Sequence, residues 1–207
     1  MVNLLGGKGA NLAEMTNLEI PVPPGFIITT ETCTEFFNSG GQLPEGATEQ
    51  ITAAMNGVEK TIGRTLGDAD NPLLISVRSG ARKSMPGMME TVLNVGLCAK
   101  TIPGMIKQSG DERFVWDAYR RLITMYADVV MEKAAGIEPE EDSLAVRSQL
   151  EKLMDEVKNK NGYKLDTELK AEELKTLCDR YKAKVKEVLG VEFPDDAWAQ
   201  LWKRFGS

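Results

Sequence analysis

Apolar residues at helical spacing run through the second half of the chain, and that pattern restricts the fold more than any other feature. Between residues 114 and 131, the positions Val115, Ala118, Tyr119, Leu122, Ile123 and Tyr126 share one helical face. A second helix is predicted over 143–157. A third, over 171–189, places Leu174, Leu177, Tyr181, Val185 and Val188 together. Asn161-Gly162 in the short connection predicts that these two run antiparallel. In the closing segment Trp198, Leu201, Trp202 and Phe205 fall at i, i+3, i+4 and i+7, with Asp195 as the expected N-cap. Such a stripe calls for a surface to cover it, either the first half of the chain or another chain.

The first half has a different texture. Residues 1–97 carry 16 charged side chains against 40 in residues 98–207, and they hold most of the glycine and proline punctuation. A short helix is predicted over 10–15, and Pro21, Pro23 and Pro24 then break the chain. Phe26-Ile27-Ile28 reads as a short buried strand. Thr29 or Thr30 caps a helix that runs through Phe37 and stops at Ser39-Gly40-Gly41. Ile51, Met55, Val58, Ile62 and Leu66 form one face of a further helix. Two strands are predicted over 73–77 and 91–95, with a glycine- and methionine-rich loop between them. The expected architecture is a mixed α/β part, residues 1–97 completed by 190–207, with a helical insertion over 98–189.

Composition removes whole classes of function. The 207 residues include no histidine, so a Ser-His-Asp triad, a Cys-His pair, a histidine-ligated metal and a phosphohistidine relay within the chain are all ruled out. The net charge of −6 argues against nucleic acid or an anionic membrane as the main partner. No apolar run approaches the roughly 18 residues of a membrane span, and no targeting segment is visible. Cys33, Cys98 and Cys178 are too few and too scattered for a disulfide framework or a zinc site, which fits a reducing compartment.

Two segments have the composition of anion sites. Gly6-Gly7-Lys8-Gly9 precedes a helix, where glycines let the backbone approach a ligand, amides attract an anion and Lys8 adds a full charge. It lacks the spacer and the Ser or Thr of a P-loop, and taken by itself it reads as a glycine turn bearing a solvated lysine more than as an anion site. The second segment runs from Ser76 to Met89. No acid lies between Asp70 and Glu90, yet Arg78, Arg82 and Lys83 fall within six residues. Arg78 follows a predicted strand, at the carboxyl end where α/β folds place ligands, and guanidinium forks suit phosphate oxygens. The alternative is a surface loop whose arginines pair with acids elsewhere and whose methionines fill the core.

Three stretches together resemble one family. Leu4-Leu5-Gly6-Gly7-Lys8-Gly9-Ala10-Asn11-Leu12-Ala13-Glu14-Met15, Ile20-Pro21-Val22-Pro23-Pro24-Gly25-Phe26 and the segment from Ser76 to Asn94 are similar to the N-terminal region of the pyruvate, phosphate dikinases. The likeness continues through Tyr119-Arg120-Arg121-Leu122-Ile123-Thr124-Met125-Tyr126 and Lys164-Leu165-Asp166-Thr167. Phosphoenolpyruvate synthases share the Gly-Gly-Lys and Pro-Pro-Gly-Phe elements but lack the second arginine and the Met-Pro-Gly-Met-Met run.

The resemblance implies an α+β, ATP-grasp-like subdomain whose unit is incomplete in this chain. It also implies ATP with magnesium, the metal ligands lying outside these residues, and a homodimer for the whole family protein. In the family, ATP phosphorylates a histidine on a separate domain, and the group then passes to pyruvate on a third. Lys8, Arg78 and Arg82 match positions that contact the ATP phosphates. Gly87, Met89 and Thr91 match a loop that closes near the nucleotide, and Arg121 matches a position near the phosphates or the docked histidine domain. Lys83 and Lys170 depart from the pattern, which has a small residue and a helix-capping Thr there. The chain is thus expected to be an inactive part of a dikinase, located in a cytoplasm or an organellar matrix. The alternative is a truncated, non-catalytic member serving as a structural subunit of an assembly.

Overall fold

The computed structural model describes residues 1–79, 91–137 and 141–205. They divide into two compact units, residues 1–64 with Arg78, Ser79 and Thr91, and residues 65–77 with 92–205. Helices predominate, accompanied by two sheets of two strands each, so the described residues are α+β with little β.

The first unit holds α1 (Val2–Asn17), α2 (Thr30–Asn38) and α3 (Ala47–Ile62). Two helical segments of α1 meet at Gly6, whose φ of 68° and ψ of 173° are open only to glycine. Gly9 is small for a different reason: a Cβ there would lie 3.0 Å from Ile27 Cδ1. The stretch 26–28 packs on α1 in this way but joins no sheet, and Ile27 is 39% exposed, which corrects the expected buried strand. Thr29 caps α2 by accepting the Thr32 N–H at 3.3 Å, and the Thr30 hydroxyl donates to the Asn3 carbonyl at 2.5 Å. On α3 the buried face is Ile51, Met55 and Val58. The helix stops at Gly63, so Ile62 is exposed and Leu66 belongs to a strand, where it is buried independently of the helical face.

In the second unit, β1 (Thr65–Leu66) pairs in parallel with β2 (Pro72–Leu73). Asp68 Oδ1 shapes the turn between them by accepting the N–H groups of Asp70 at 2.9 Å and Asn71 at 2.7 Å. β3 (Ile75–Val77) pairs antiparallel with β4 (Val92–Val95), so the strand expected over 73–77 divides at Leu74 between two sheets. Ile75 faces Val95 and Val77 faces Val92, which leaves two β4 residues opposite Ser76. Asn94 absorbs that bulge with a φ of 61°, a conformation asparagine tolerates.

Five helices complete this unit: α4 (Ile102–Ser109), α5 (Glu112–Tyr126), α6 (Val146–Asn161), α7 (Ala171–Leu189) and α8 (Ala197–Phe205). The core closes around α5, whose Val115, Tyr119, Leu122, Ile123 and Tyr126 are buried against α7, α6 and β4. The carboxyl end of α6 and the start of α7 line one cleft, as the antiparallel expectation requires. Past Tyr126 the helix widens into a π-helical stretch, Ala127–Glu132. Buried Glu132 there accepts the Val146 N–H at 2.8 Å, capping α6 from another helix where Ala145 has no side-chain acceptor. Lys170 likewise caps α7 with no side-chain bond, but Glu173 Oε2 accepts the Lys170 N–H at 2.8 Å. Half of the reciprocal capping arrangement therefore persists.

The buried face of α8 is Ala197, Gln200 and Leu201, directed at β4 and the residues after it. Trp198 and Trp202 are half-buried and stacked on each other, with ring centroids 6.2 Å apart. The stripe expected from the sequence is thus rotated toward Gln200, and the side chain of Phe205 lies outside the described residues. The N-cap is Asp196, which accepts the Ala199 N–H at 2.8 Å. Asp195 turns inward instead. Among the described residues no helix is long and apolar enough to cross a membrane. The three cysteines are free thiols, Cys33 exposed, Cys98 and Cys178 buried.

Candidate functional site

The break at Gly6 gives Lys8 its setting. Because the backbone turns there, the helix restarts at residue 7, and Lys8 stands exposed in the first turn of the new segment. The uncompensated amides of that turn and the ammonium carry positive charge of the same sign to one place. Arg78 is exposed immediately after β3, and Thr91, half-buried, immediately precedes β4. Since Val77 faces Val92, these two residues begin and end the connection that leaves the hairpin. Lys8, Arg78 and Thr91 fall in the same unit. Among the described residues neither Lys8 nor Arg78 has an ion-pair partner. Arg82, Gly87 and Met89, together with Lys83, lie outside the described residues.

Arg121 is placed differently. It sits on α5 in the other unit, 58% exposed, with Nη2 donating to Asp117 Oδ2 at 2.9 Å. Neighbouring Arg120 is held inward by Asp117 Oδ1 and by Asp166. The turn at Asp166–Glu168, part of the sequence likeness, is also clamped by Arg113. Its Nε donates to the Leu169 carbonyl at 2.8 Å and its Nη2 to the Asp166 carbonyl at 3.0 Å.

Sequence reasoning missed a buried polar network behind the end of β4. Gln200 accepts the Gly96 N–H at 2.9 Å and donates to the carbonyls of Leu97 at 2.9 Å and Pro194 at 3.0 Å. Thr101 Oγ1 donates to the Gly96 carbonyl at 2.7 Å and accepts the Cys98 N–H at 3.0 Å. Asp195 Oδ1 accepts the Tyr119 hydroxyl at 2.8 Å and the Ala99 N–H at 2.9 Å. Burial, reinforced by the Asp195 carboxylate, pushes the Tyr119 hydroxyl far above its ordinary pKa, so it remains a donor. The available signal was Gln200 sharing a helical face with Ala197 and Leu201.

The sequence comparisons bear on these same segments. The family model described as "Pyruvate phosphate dikinase, AMP/ATP-binding domain" matches residues 2–58, the segment that carries the Gly6 break and Lys8. Over 202 residues, 97% of the chain, it is 48% identical to pyruvate, phosphate dikinase of Clostridium symbiosum, of which it covers 22%. Against the enzyme of Rhizobium meliloti the identity is 47% over 98% of the chain and 21% of the relative. Against pyruvate, phosphate dikinase 1, chloroplastic, of Arabidopsis thaliana it is 45% over 97% of the chain and 20% of the relative. The chain is therefore homologous to the N-terminal region of the pyruvate, phosphate dikinases. It spans about one-fifth of the length of those relatives.

Proposed function

We propose that this chain is the nucleotide-binding portion of a pyruvate, phosphate dikinase, with an ATP-grasp-like arrangement. Lys8, Arg78 and Arg82 meet the phosphates of ATP, and the loop with Gly87, Met89 and Thr91 closes near the nucleotide. Arg121 lies near the phosphates or the docking histidine domain. Residues 1–97 with 190–207 act as the nucleotide-binding part and 98–189 as the helical insertion. In support of that division, Gln200 accepts the Gly96 N–H and donates to the Leu97 carbonyl, directly after β4. Magnesium is held by carboxylates outside this chain. The β- and γ-phosphates leave ATP together for a histidine carried elsewhere in the protein, releasing AMP; inorganic phosphate takes the outer one as pyrophosphate, and the remaining phosphoryl group passes to pyruvate, giving phosphoenolpyruvate. The setting is a cytoplasm or an organellar matrix, and the whole protein is a homodimer.

The observation that carries this reading is that Lys8 and Arg78 have no ion-pair partner among the described residues, in segments that also carry the family likeness. Phosphoryl transfer relies on preorganised positive charge, and cations with no protein partner are suited to meet a polyphosphate. Bound ligand should raise stability by mass action, by about 2.7 kcal/mol at 100 times the dissociation constant, or several degrees of melting temperature. The test is thermal shift with ATP, ADP and inorganic triphosphate, on wild type and Arg78→Lys. Wild type should shift, and the variant should lose most of the effect, because lysine keeps the charge but not the planar fork. No shift at millimolar ligand would favour the structural-subunit alternative. An identical shift in the variant would put the phosphates elsewhere.

A further inference from the structure

Asp117 stands between two guanidinium groups. Its Oδ1 accepts from Arg120, at 3.2 Å from Nε and 2.5 Å from Nη2, while its Oδ2 accepts from Arg121 Nη2 at 2.9 Å. The two inner members are nearly buried, Asp117 at 13% exposed and Arg120 at 12%, whereas Arg121 is 58% exposed. Arg120 has a second anchor in Asp166 at 3.6 Å, and Lys158 reaches the same carboxylate at 3.2 Å. The row is therefore fixed at its inner end and presents a guanidinium at its outer end. It is built on α5, whose opposite face fills the core, so the base of the row has little freedom.

We infer that Asp117 is a positioning residue, which aims the Arg121 guanidinium at the phosphate it contacts. The inference rests on the phosphate-proximal role proposed for Arg121. Asp117 and Arg121 are one helical turn apart, so one carboxylate oxygen fixes one edge of the guanidinium fork. The donors not turned toward Asp117 form the edge that an oxyanion can meet bidentately. Held this way, the long side chain loses less rotamer freedom when the ligand arrives. Arg120 keeps the carboxylate from following Arg121, because it occupies the other oxygen.

The test is the dissociation constant of the full chain for inorganic triphosphate, measured by titration calorimetry at low salt. The variants are Asp117→Asn, Asp117→Glu, Arg121→Ala and the double variant Asp117→Asn with Arg121→Ala, with melting temperatures recorded alongside. A charge-borne positioning role predicts about tenfold weaker binding for Asp117→Asn, and within about threefold of wild type for Asp117→Glu, which keeps an i, i+4 ion pair. Asp117→Asn should add nothing once Arg121 is alanine. A merely structural role predicts the reverse order, since asparagine fits the half-closed site and the longer glutamate does not, with affinity following melting temperature. That reversed order, or an Asp117→Asn effect that persists without Arg121, overturns the inference alone. Absence of binding by wild type overturns the proposed function and the inference with it. Wild-type binding that Arg121→Ala leaves unchanged removes the role of Arg121, and with it the inference, but leaves Lys8 and Arg78 in place.

Discussion

Replacing Gln200 with leucine is expected to destabilise the unit of residues 65–77 and 92–205 by about 3–5 kcal/mol, a fall on the order of 10 °C in its melting temperature. Leucine preserves the apolar volume between Ala197 and Leu201, so the change isolates the polar contacts. It leaves the Gly96 N–H and the Leu97 and Pro194 carbonyls without the partner that now serves all three. Gln200 is fully buried, so water offers no ready replacement. Each abandoned group costs about 1–3 kcal/mol, moderated by local relaxation. Thermal unfolding followed by circular dichroism checks this. A loss under about 1 kcal/mol would mean that the three backbone groups find other partners.

The same residue shows where the sequence is mute. The stripe on α5 is legible because Val115, Tyr119, Leu122 and Tyr126 are apolar and repeat at one spacing, and they are buried as that spacing predicts. On α8 the tryptophans outweigh a glutamine in any reading of apolar size, yet the backbone after β4 needs hydrogen bonds that an indole cannot give to three partners. The buried face turns accordingly. Asp195 and Asp196 are chemically equivalent caps in the sequence, and Tyr119 and Ala99, distant along the chain, decide between them. Leu66 continues the spacing of Ile51, Met55 and Val58, but Gly63 ends the helix first. The cap of α2 was legible as Thr29 or Thr30, because capping is a local interaction, and Thr29 is the one that accepts the Thr32 N–H. Of the candidate site, Arg78 was legible as a charge without nearby acids, and Lys8 only as a lysine in a glycine turn. The place of Arg121 was not, since its i, i+4 partner Asp117 is an ordinary surface-pair pattern until Arg120 is seen occupying the other oxygen.

Purified chain given ATP, inorganic phosphate and pyruvate is expected to form no AMP above background. The relay proposed for the family needs a histidine to hold the phosphoryl group between two reactions, and the 207 residues contain none. In the proposed role, the cations of this chain would orient a triphosphate and spread its charge. Without an acceptor in line with the β-phosphorus, whose displacement releases AMP, they have no reaction to accelerate. The loss relative to a whole dikinase should therefore be complete, not a reduced turnover. Nucleotide chromatography of the reaction, with and without pyruvate, is the measurement. Pyruvate-dependent AMP formation that survives Lys8→Ala would overturn both the phosphate-binding role of Lys8 and the assignment of the acceptor to another part of the protein.

The π-helical stretch at Ala127–Glu132 bears on how this region tolerates changes in length. A π turn accommodates one more residue than an α turn, so it behaves as a single-residue insertion absorbed inside a continuous helix. Deleting one residue between 127 and 131 would let the segment relax to ordinary α geometry, with better-spaced hydrogen bonds. Because the extra residue is absorbed there, the side chains that follow would keep their phase, and Glu132 would stay within reach of the Val146 N–H. The same deletion in the regular part of α5 would rotate every following side chain by about 100° and draw it back by about 1.5 Å. Relatives should accordingly differ by one residue more readily within 127–131 than within 112–126.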